Sequence, residues 1–377
     1  MEGMAGQKSS LAWAVNLAAF LLVLLWTIPT LGLFVSSFRD RDQISTSGWW
    51  QSFSGSVQTG FVRSGTTDDQ VQRDGLYVIE GSALEGTQKL VSWGTSARAP
   101  DANAPGDTVE IEPGVNLTVA EDGRYQMTSA QPFDMRRGER IFTTTESPPS
   151  FTTDNYARVM TAGGLGRAFM NTMTVTIPAT VIPILIAAFA AYALAWMRFP
   201  GRAILTACVV GLLVVPLQVA LIPLLRMHND LGIGKGYLGI WLAHTGFGLP
   251  LAVYLLRNYM VGLPREVIES ARVDGATEFQ IFRRIILPLS FPALASFAIF
   301  QFLWVWNDLL VATVFLGNTR EQLVMTGLLR ELMGSRGGEW EILATSAFIS
   351  IAVPLAVFFA MQKYLVRGLL AGSVKGG

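Results

Sequence analysis

Apolar and polar positions along the chain follow three patterns. In the first, six windows carry no Asp, Glu, Lys or Arg: Ser9–Phe38, Ala168–Met197, Ala203–Leu225, Gly236–Leu256, Ile285–Asn307 and Ile342–Gln362. Each reaches the roughly 20 residues that a helix needs to cross about 30 Å of hydrocarbon. They predict six transmembrane helices. The apolar part of the first window is too long for a signal peptide, and no small-residue cleavage site clearly follows it, so it reads as a retained helix.

The second pattern fills the stretch between the first two windows. Runs of alternating character at Leu76–Gly81, Val109–Gly114 and Val115–Met127 are separated by turn residues, and Asp122-Gly123 lies between two such runs as a hairpin signal. This predicts a small, mostly β domain from about Asp40 to Pro148. A partly disordered loop is the alternative that composition leaves open.

The third pattern is a charged, amphipathic stretch between the fourth and fifth windows. Pro264 can occupy the first turn of a helix. Val267, Ile268 and Ala271 then share a face, and Asp274-Gly275 ends the helix in a sharp turn. Thr277 with Gln280 has capping-box spacing, and Phe279, Phe282 and Ile286 form the next apolar stripe, with Leu287-Pro288 marking entry into the fifth span. The prediction is helix, tight turn, helix, with an apolar face free for a partner groove or for a lipid surface. Physics alone does not separate those two uses, since both need the same stripe.

Composition supports a polytopic membrane protein. Of 377 residues, 51% are hydrophobic and 15% charged, with mean hydropathy +0.40. The net charge of zero gives a nucleic-acid partner no electrostatic support. Cys208 is the single cysteine, which allows no internal disulfide, and its apolar surroundings make it a packing residue. With a cytoplasmic N-terminus, the inside segments would carry 11 Lys and Arg and the short outside loops 5, which predicts both termini inside. The long Arg39–Arg167 loop, with 12 basic and 17 acidic residues, would lie outside.

Glu269-Ser270-Ala271, then Gly275, Ile285 and Leu287-Pro288 at fixed spacing, resembles the EAA loop of ABC importer permeases, with Ser270 replacing the usual Ala. Asn155-Tyr156, Asn171-Thr172, Arg198–Arg202, Val215–Leu224, Trp306–Asp308 and the tail Val366–Gly376 are similar to the carbohydrate-uptake, maltose-permease-like branch. The resemblance covers about Leu11–Phe38 and Ser150–Gly376, and an insert after the first helix is similar to permeases of α-glucoside uptake.

The resemblance implies an all-α, six-helix type I importer permease with the β-rich insert outside the cytoplasm between helices 1 and 2. Three parts follow: residues 1–38, the insert 39–149, and a five-helix core 150–377 with its coupling loop at about 257–288. Glu269, Ser270, Ala271, Asp274, Gly275, Ala276, Phe279, Phe282, Ile285, Leu287 and Pro288 are the implied ATPase-coupling residues. Ala371, Gly372, Ser373, Val374, Lys375 and Gly376 are the implied tail contact with the ATPase.

The implied partners are a second homologous permease, a homodimeric ATP-binding subunit, an extracytoplasmic sugar-binding protein and membrane lipid. The implied location is a bacterial or archaeal cytoplasmic membrane. ATP and magnesium would be used by the ATPase, with no cofactor held by this chain. The chain carries no glycine-rich phosphate loop of the required spacing, so ATP hydrolysis is not expected of it.

Polar and aromatic residues in the windows, Gln218, His244, Gln301, Trp304 and Asn307, are candidates for lining the pathway. His244 has a plainer reading as a helix-packing hydrogen bonder, Trp306 as an interfacial anchor and Asp308 as a water-facing residue. An enzyme is disfavoured: no catalytic cluster is visible, with His228 in a loop and His244 in a helix. Polyol or glycerol-phosphate uptake is the runner-up, and a membrane sensor a weaker one.

Overall fold

The computed structural model describes residues 10–84, 88–161, 164–335 and 338–370. The chain divides into two compact units, one formed by the residues up to Asn155 with 339–344, the other by the remainder.

The first unit begins with α1 (Ser10–Ser37), an apolar helix exposed along nearly its whole length, followed by the short α2 (Arg41–Thr46). The described residues then form strands β1 (Ser56–Arg63), β2 (Val71–Arg73), β3 (Leu76–Ser82), β4 (Lys89–Gly94), β5 (Thr108–Glu112), β6 (Val115–Val119), β7 (Arg124–Ser129) and β8 (Arg140–Ser147). They form two antiparallel sheets, ordered β1-β8-β4 and β2-β3-β7-β6-β5. The expected hairpin is β6–β7, with Val119 opposite Tyr125 and Gly123 at φ +78°, where a side chain would be strained.

Alternate strand positions supply one core of Ile79, Trp93, Leu117, Val119, Met127 and Ile141. Burial of such a core makes the ordered alternative, rather than the disordered loop, the one this stretch adopts. The two ends of the β region are tied together. Arg39 pairs with Phe151 as an antiparallel bridge, and Thr152 N–H donates to the Phe38 carbonyl at 2.7 Å. Buried Asn155 donates to the carbonyls of Ser37 (3.1 Å) and Arg39 (2.9 Å), and Gln43 to that of Pro148 (3.0 Å).

The second unit is helical: α3 (Asp154–Thr161), α4 (Leu165–Trp196), α5 (Arg202–Leu212), α6 (Leu217–Asp230), α7 (Tyr237–Val261), α8 (Arg265–Val273), α9 (Glu278–Ile281), α10 (Leu287–Leu289), α11 (Phe291–Trp306), α12 (Leu310–Phe315), α13 (Met325–Ser335) and α14 (Trp340–Leu370). Its centre is the α4–α7 pair. Ala179, Ala187, Ala188 and Ala191 on α4 are small enough for close backbone approach, the packing that holds helices together in lipid. Side-chain bonds fix the register. Tyr237 donates to the Asn171 Oδ1 at 2.8 Å, while the Asn171 amide donates to the carbonyls of Glu321 (2.8 Å) and Leu323 (2.9 Å).

Among the described residues, four helices, at Leu11–Ser37, Leu165–Trp196, Tyr237–Val261 and Trp340–Tyr364, are long and apolar enough to cross a membrane. The other two apolar windows are not straight helices. The third bends by 109° between α5 and α6, where Pro216 leaves the α region and cannot donate a backbone bond. The fifth bends by 70° at Ser290, two residues past Leu287-Pro288, and its long apolar helix runs from Phe291.

Three further expectations are corrected by burial. Trp306 is no interfacial anchor: it is 1% exposed, its indole N–H donates to the Ser350 carbonyl at 2.9 Å, and it packs on Phe169 and Phe302. Asp308 does not face water: its side chain is 10% exposed, and its carboxylate accepts the backbone N–H groups of Val311 (3.3 Å) and Ala312 (2.9 Å) in the first turn of α12. His228 lies in the last turn of α6 rather than in a loop, buried edge-on against Phe315.

Candidate functional site

The stretch from Pro264 to Ser290 folds as its residue pattern predicts at the turn and differently on its faces. Pro264 precedes α8 as its cap. The helix ends at Asp274, whose N–H donates to the Ser270 carbonyl at 2.9 Å, and Gly275 turns the chain at φ +82°. Thr277 then caps α9 through the reciprocal box with Gln280: the Gln280 N–H donates to the Thr277 hydroxyl (3.3 Å) and the Thr277 N–H to the Gln280 side chain (2.9 Å). A wide helical turn at Phe282–Ile286 follows, then α10.

The expected apolar stripes are divided between the inside and the outside. Ile268, Ile281, Phe282 and Ile286 are buried in this chain's own core, against Ala188, Ala191 and Tyr192 of α4 and Leu256 and Met260 of α7. They are therefore not free for a partner groove, which corrects the expected free face. Val267, Val273 and Phe279 point outward, the last two 87% and 61% exposed.

Of the coupling candidates, Glu269, Ser270, Asp274, Gly275, Phe279 and Pro288 are exposed; Ala271, Ala276, Ile285 and Leu287 are half-buried; Phe282 is buried. Glu269 accepts from Arg265 Nε at 2.7 Å, one helical turn away, with both side chains more than half exposed. The tail candidates Ala371 to Gly376 lie outside the described residues.

Sequence reasoning missed a polar cluster beneath the turn. The Tyr192 hydroxyl donates to Glu278 Oε2, and Arg272 donates to both oxygens of the same carboxylate, Nε to Oε1 at 3.1 Å and Nη2 to Oε2 at 3.3 Å. Arg272 Nη2 also donates to the Trp196 carbonyl at 3.3 Å. Burial by itself would raise the Glu278 carboxyl, but the bonds from Tyr192 and Arg272 and the Arg272 charge hold it below its ordinary value. The same hydrogen bond to Glu278 raises the Arg272 guanidinium against the opposing effect of burial. The available signal was the placing of Arg272 and Glu278 three residues to either side of Gly275. Nothing local marked Tyr192 as their partner.

The pathway candidates are not brought together as one set. Gln301 and Trp304 line a cavity of about 460 Å³ beside the α5–α6 bend, with Gly246, Phe247 and Phe300 among its walls. Gln301 is fully buried, and its amide donates to the Ala179 carbonyl at 3.1 Å. His244 is buried behind Trp304, edge-on at 5.9 Å, with Nε2 3.8 Å from the Asp308 carboxylate and neither nitrogen hydrogen-bonded among the described residues, so it does not act as the expected helix-packing bonder. Gln218 and Asn307 are exposed and off the cavity.

The chain matches the family model of the binding-protein-dependent transport system inner membrane component over residues 158–370. It is 63% identical over 376 residues to the alpha-glucoside transport system permease protein AglG of Rhizobium meliloti, covering 98% of this chain and 99% of that one. It is 42% identical to the osmoprotective compounds uptake permease protein GgtD of Synechocystis sp., covering 96% and 91%. The trehalose transport system permease protein SugB of Mycobacterium tuberculosis is 32% identical, covering 61% of this chain and 84% of its own length. With the family model spanning more than half of the chain, and a relative matched end to end, the protein belongs to the inner-membrane permeases of binding-protein-dependent ABC transport systems.

Proposed function

We propose that this chain is one of two permeases of an ATP-driven importer for α-glucosides. The observation that carries the substrate class is the near full-length, 63% likeness to a permease named for alpha-glucoside transport. That likeness covers 98% of the chain and so includes the β region. In this reading each bent helix pair counts as one span, giving six. Both termini are cytoplasmic and residues 39–149 form an extracytoplasmic domain, in keeping with the placement of Lys and Arg. A second homologous permease supplies the other half of the pathway, and a sugar-binding protein delivers substrate. A homodimeric ATPase uses ATP and magnesium, docking beneath the loop at about 257–288 and meeting the 371–376 tail, while this chain holds no cofactor.

The ATPase-facing surface in this reading is the outward side of the loop. It offers Val273 and Phe279 as apolar anchors and Glu269, Asp274 and Pro288 around them. A surface pair such as Arg265–Glu269 stabilises a helix by only about 0.3–0.5 kcal/mol. Glu269→Gln is therefore expected to leave the folded chain as stable as the parent while lowering uptake severalfold. Unchanged uptake would remove Glu269 from the interface.

The test of the whole reading is a mild-detergent pull-down from native membrane, with the captured proteins identified by mass spectrometry. A phosphate-loop ATPase, a second permease and a solute-binding protein are expected, and recovery of the chain alone, under conditions that keep a known importer intact, would refute it. Titrating the captured binding protein with maltose, trehalose and sucrose then tests the substrate class. A second reading, uptake of polyol-type or glycerol-phosphate compounds, draws on the relative named for osmoprotective compounds. A binding protein that ignores the three disaccharides and takes glycerol derivatives would favour it.

A further inference from the structure

We propose that Tyr192, Glu278 and Arg272 are positioning residues that carry motion of the coupling loop sideways into α4, in addition to the route along the chain into α11. The inference rests on the importer reading and deepens it.

Two routes lead from the turn at Gly275 into the helix bundle. The first follows the chain through the wide turn at Phe282–Ile286 and the 70° bend at Ser290 before reaching α11. The wide turn and the bend interrupt the helix, so the path from α9 to α11 is not one continuous rod.

The second route crosses directly to α4. One carboxylate, on Glu278, is held from two sides: by Arg272 on α8 and by the Tyr192 hydroxyl on α4. Arg272 also reaches the carbonyl of Trp196, the last residue of α4. Arg272 and Glu278 stand on opposite sides of the turn glycine, so their ion pair braces the angle between α8 and α9. The tyrosine then locks the braced unit to α4. Phe282 adds ring contacts to Phe189 at 4.6 Å and Tyr192 at 5.4 Å.

Apolar contacts through Ile268 and Ile281 already hold the loop against α4 and α7, but such contacts are non-directional. Charge-assisted hydrogen bonds are directional, and they fix the angle at which the loop meets the helix. The cluster is therefore better suited to steering than to adhesion.

The experiment uses the whole transporter in proteoliposomes, with its ATPase, second permease and binding protein. Tyr192→Phe, Glu278→Gln and Glu278→Asp are compared with the parent for co-purified ATPase, ATP turnover and α-glucoside uptake. In Tyr192→Phe and Glu278→Gln, sugar moved per ATP is expected to fall by about tenfold, the scale of one charge-assisted hydrogen bond, with the ATPase still bound. Glu278→Asp is expected to regain most of the ratio. An unchanged ratio in an intact complex would overturn the proposal, as would loss of the ATPase from the Tyr192→Phe complex, which would make the cluster an adhesive. Failure of the parent chain itself to capture any ATPase would instead bring down the importer reading, and this inference with it.

Discussion

Gly275→Asp is expected to reduce uptake at least tenfold while the chain still reaches the membrane at normal levels. Gly275 sits at φ +82°, where an L-residue costs about 1–2 kcal/mol. Among the described residues no atom beyond its chain neighbours lies within 4 Å of the added Cβ, so nothing clashes. A cost of that size is small against the roughly 5–15 kcal/mol that holds a typical domain folded. The loss of function then comes from the surface: a second carboxylate beside exposed Asp274, on the side proposed to meet the ATPase. Gly275→Ala separates the two effects, since it carries the backbone cost without the charge, and it is expected to lose much less uptake. Normal sugar uptake by Gly275→Asp, or equal losses in the two variants, would sink the interface argument.

Gly248→Leu is expected to destabilise the folded protein strongly. A Cβ at Gly248 would stand 2.8 Å from both polar atoms of the Gln301 amide, and Gln301 is fully buried and bonded to the Ala179 carbonyl. Three helices, α4, α7 and α11, meet at that point. Overpacking a close-packed site costs about 1–3 kcal/mol even for small additions, and pushing the amide off its carbonyl strands buried polar groups besides. Gly246 provides the contrast. It lies two residues before Gly248 on the same helix and lines the same cavity, but among the described residues no atom outside its own helix turn comes within 4 Å of its added Cβ. Gly246→Leu is expected to keep a near-parent thermal midpoint in detergent, while Gly248→Leu falls by many degrees or yields no folded chain. Equal midpoints would show that Gln301 can move aside freely.

Local chemistry made a good part of this protein legible in its sequence. The α8–α9 turn depends on Gly275, and its restart depends on Thr277 and Gln280, all within six residues. The β6–β7 hairpin depends on Gly123 between two alternating strands. The apolar windows were visible because a stretch lacking charge is a property of the residues themselves, whatever they pack against.

The tertiary structure decided what periodicity cannot. An apolar stripe states that a face avoids water, not which neighbour covers it, so only packing against α4 and α7 showed Ile268, Ile281 and Phe282 to be inside and Val273 and Phe279 outside. A charge-free window does not reveal its bends, and the turns at 213–216 and at Ser290 emerged only from the backbone path. Trp306 and Asp308 took buried roles because partners distant in sequence, Ser350 for one, or an adjoining helix end for the other, came within hydrogen-bond reach. Tyr192 joined Glu278 across 86 residues for the same reason. Composition and short-range spacing determined the class, the windows and the turn chemistry of this protein; burial and long-range pairing, which exist only once the chain is folded, determined which of those residues are buried and which stay exposed.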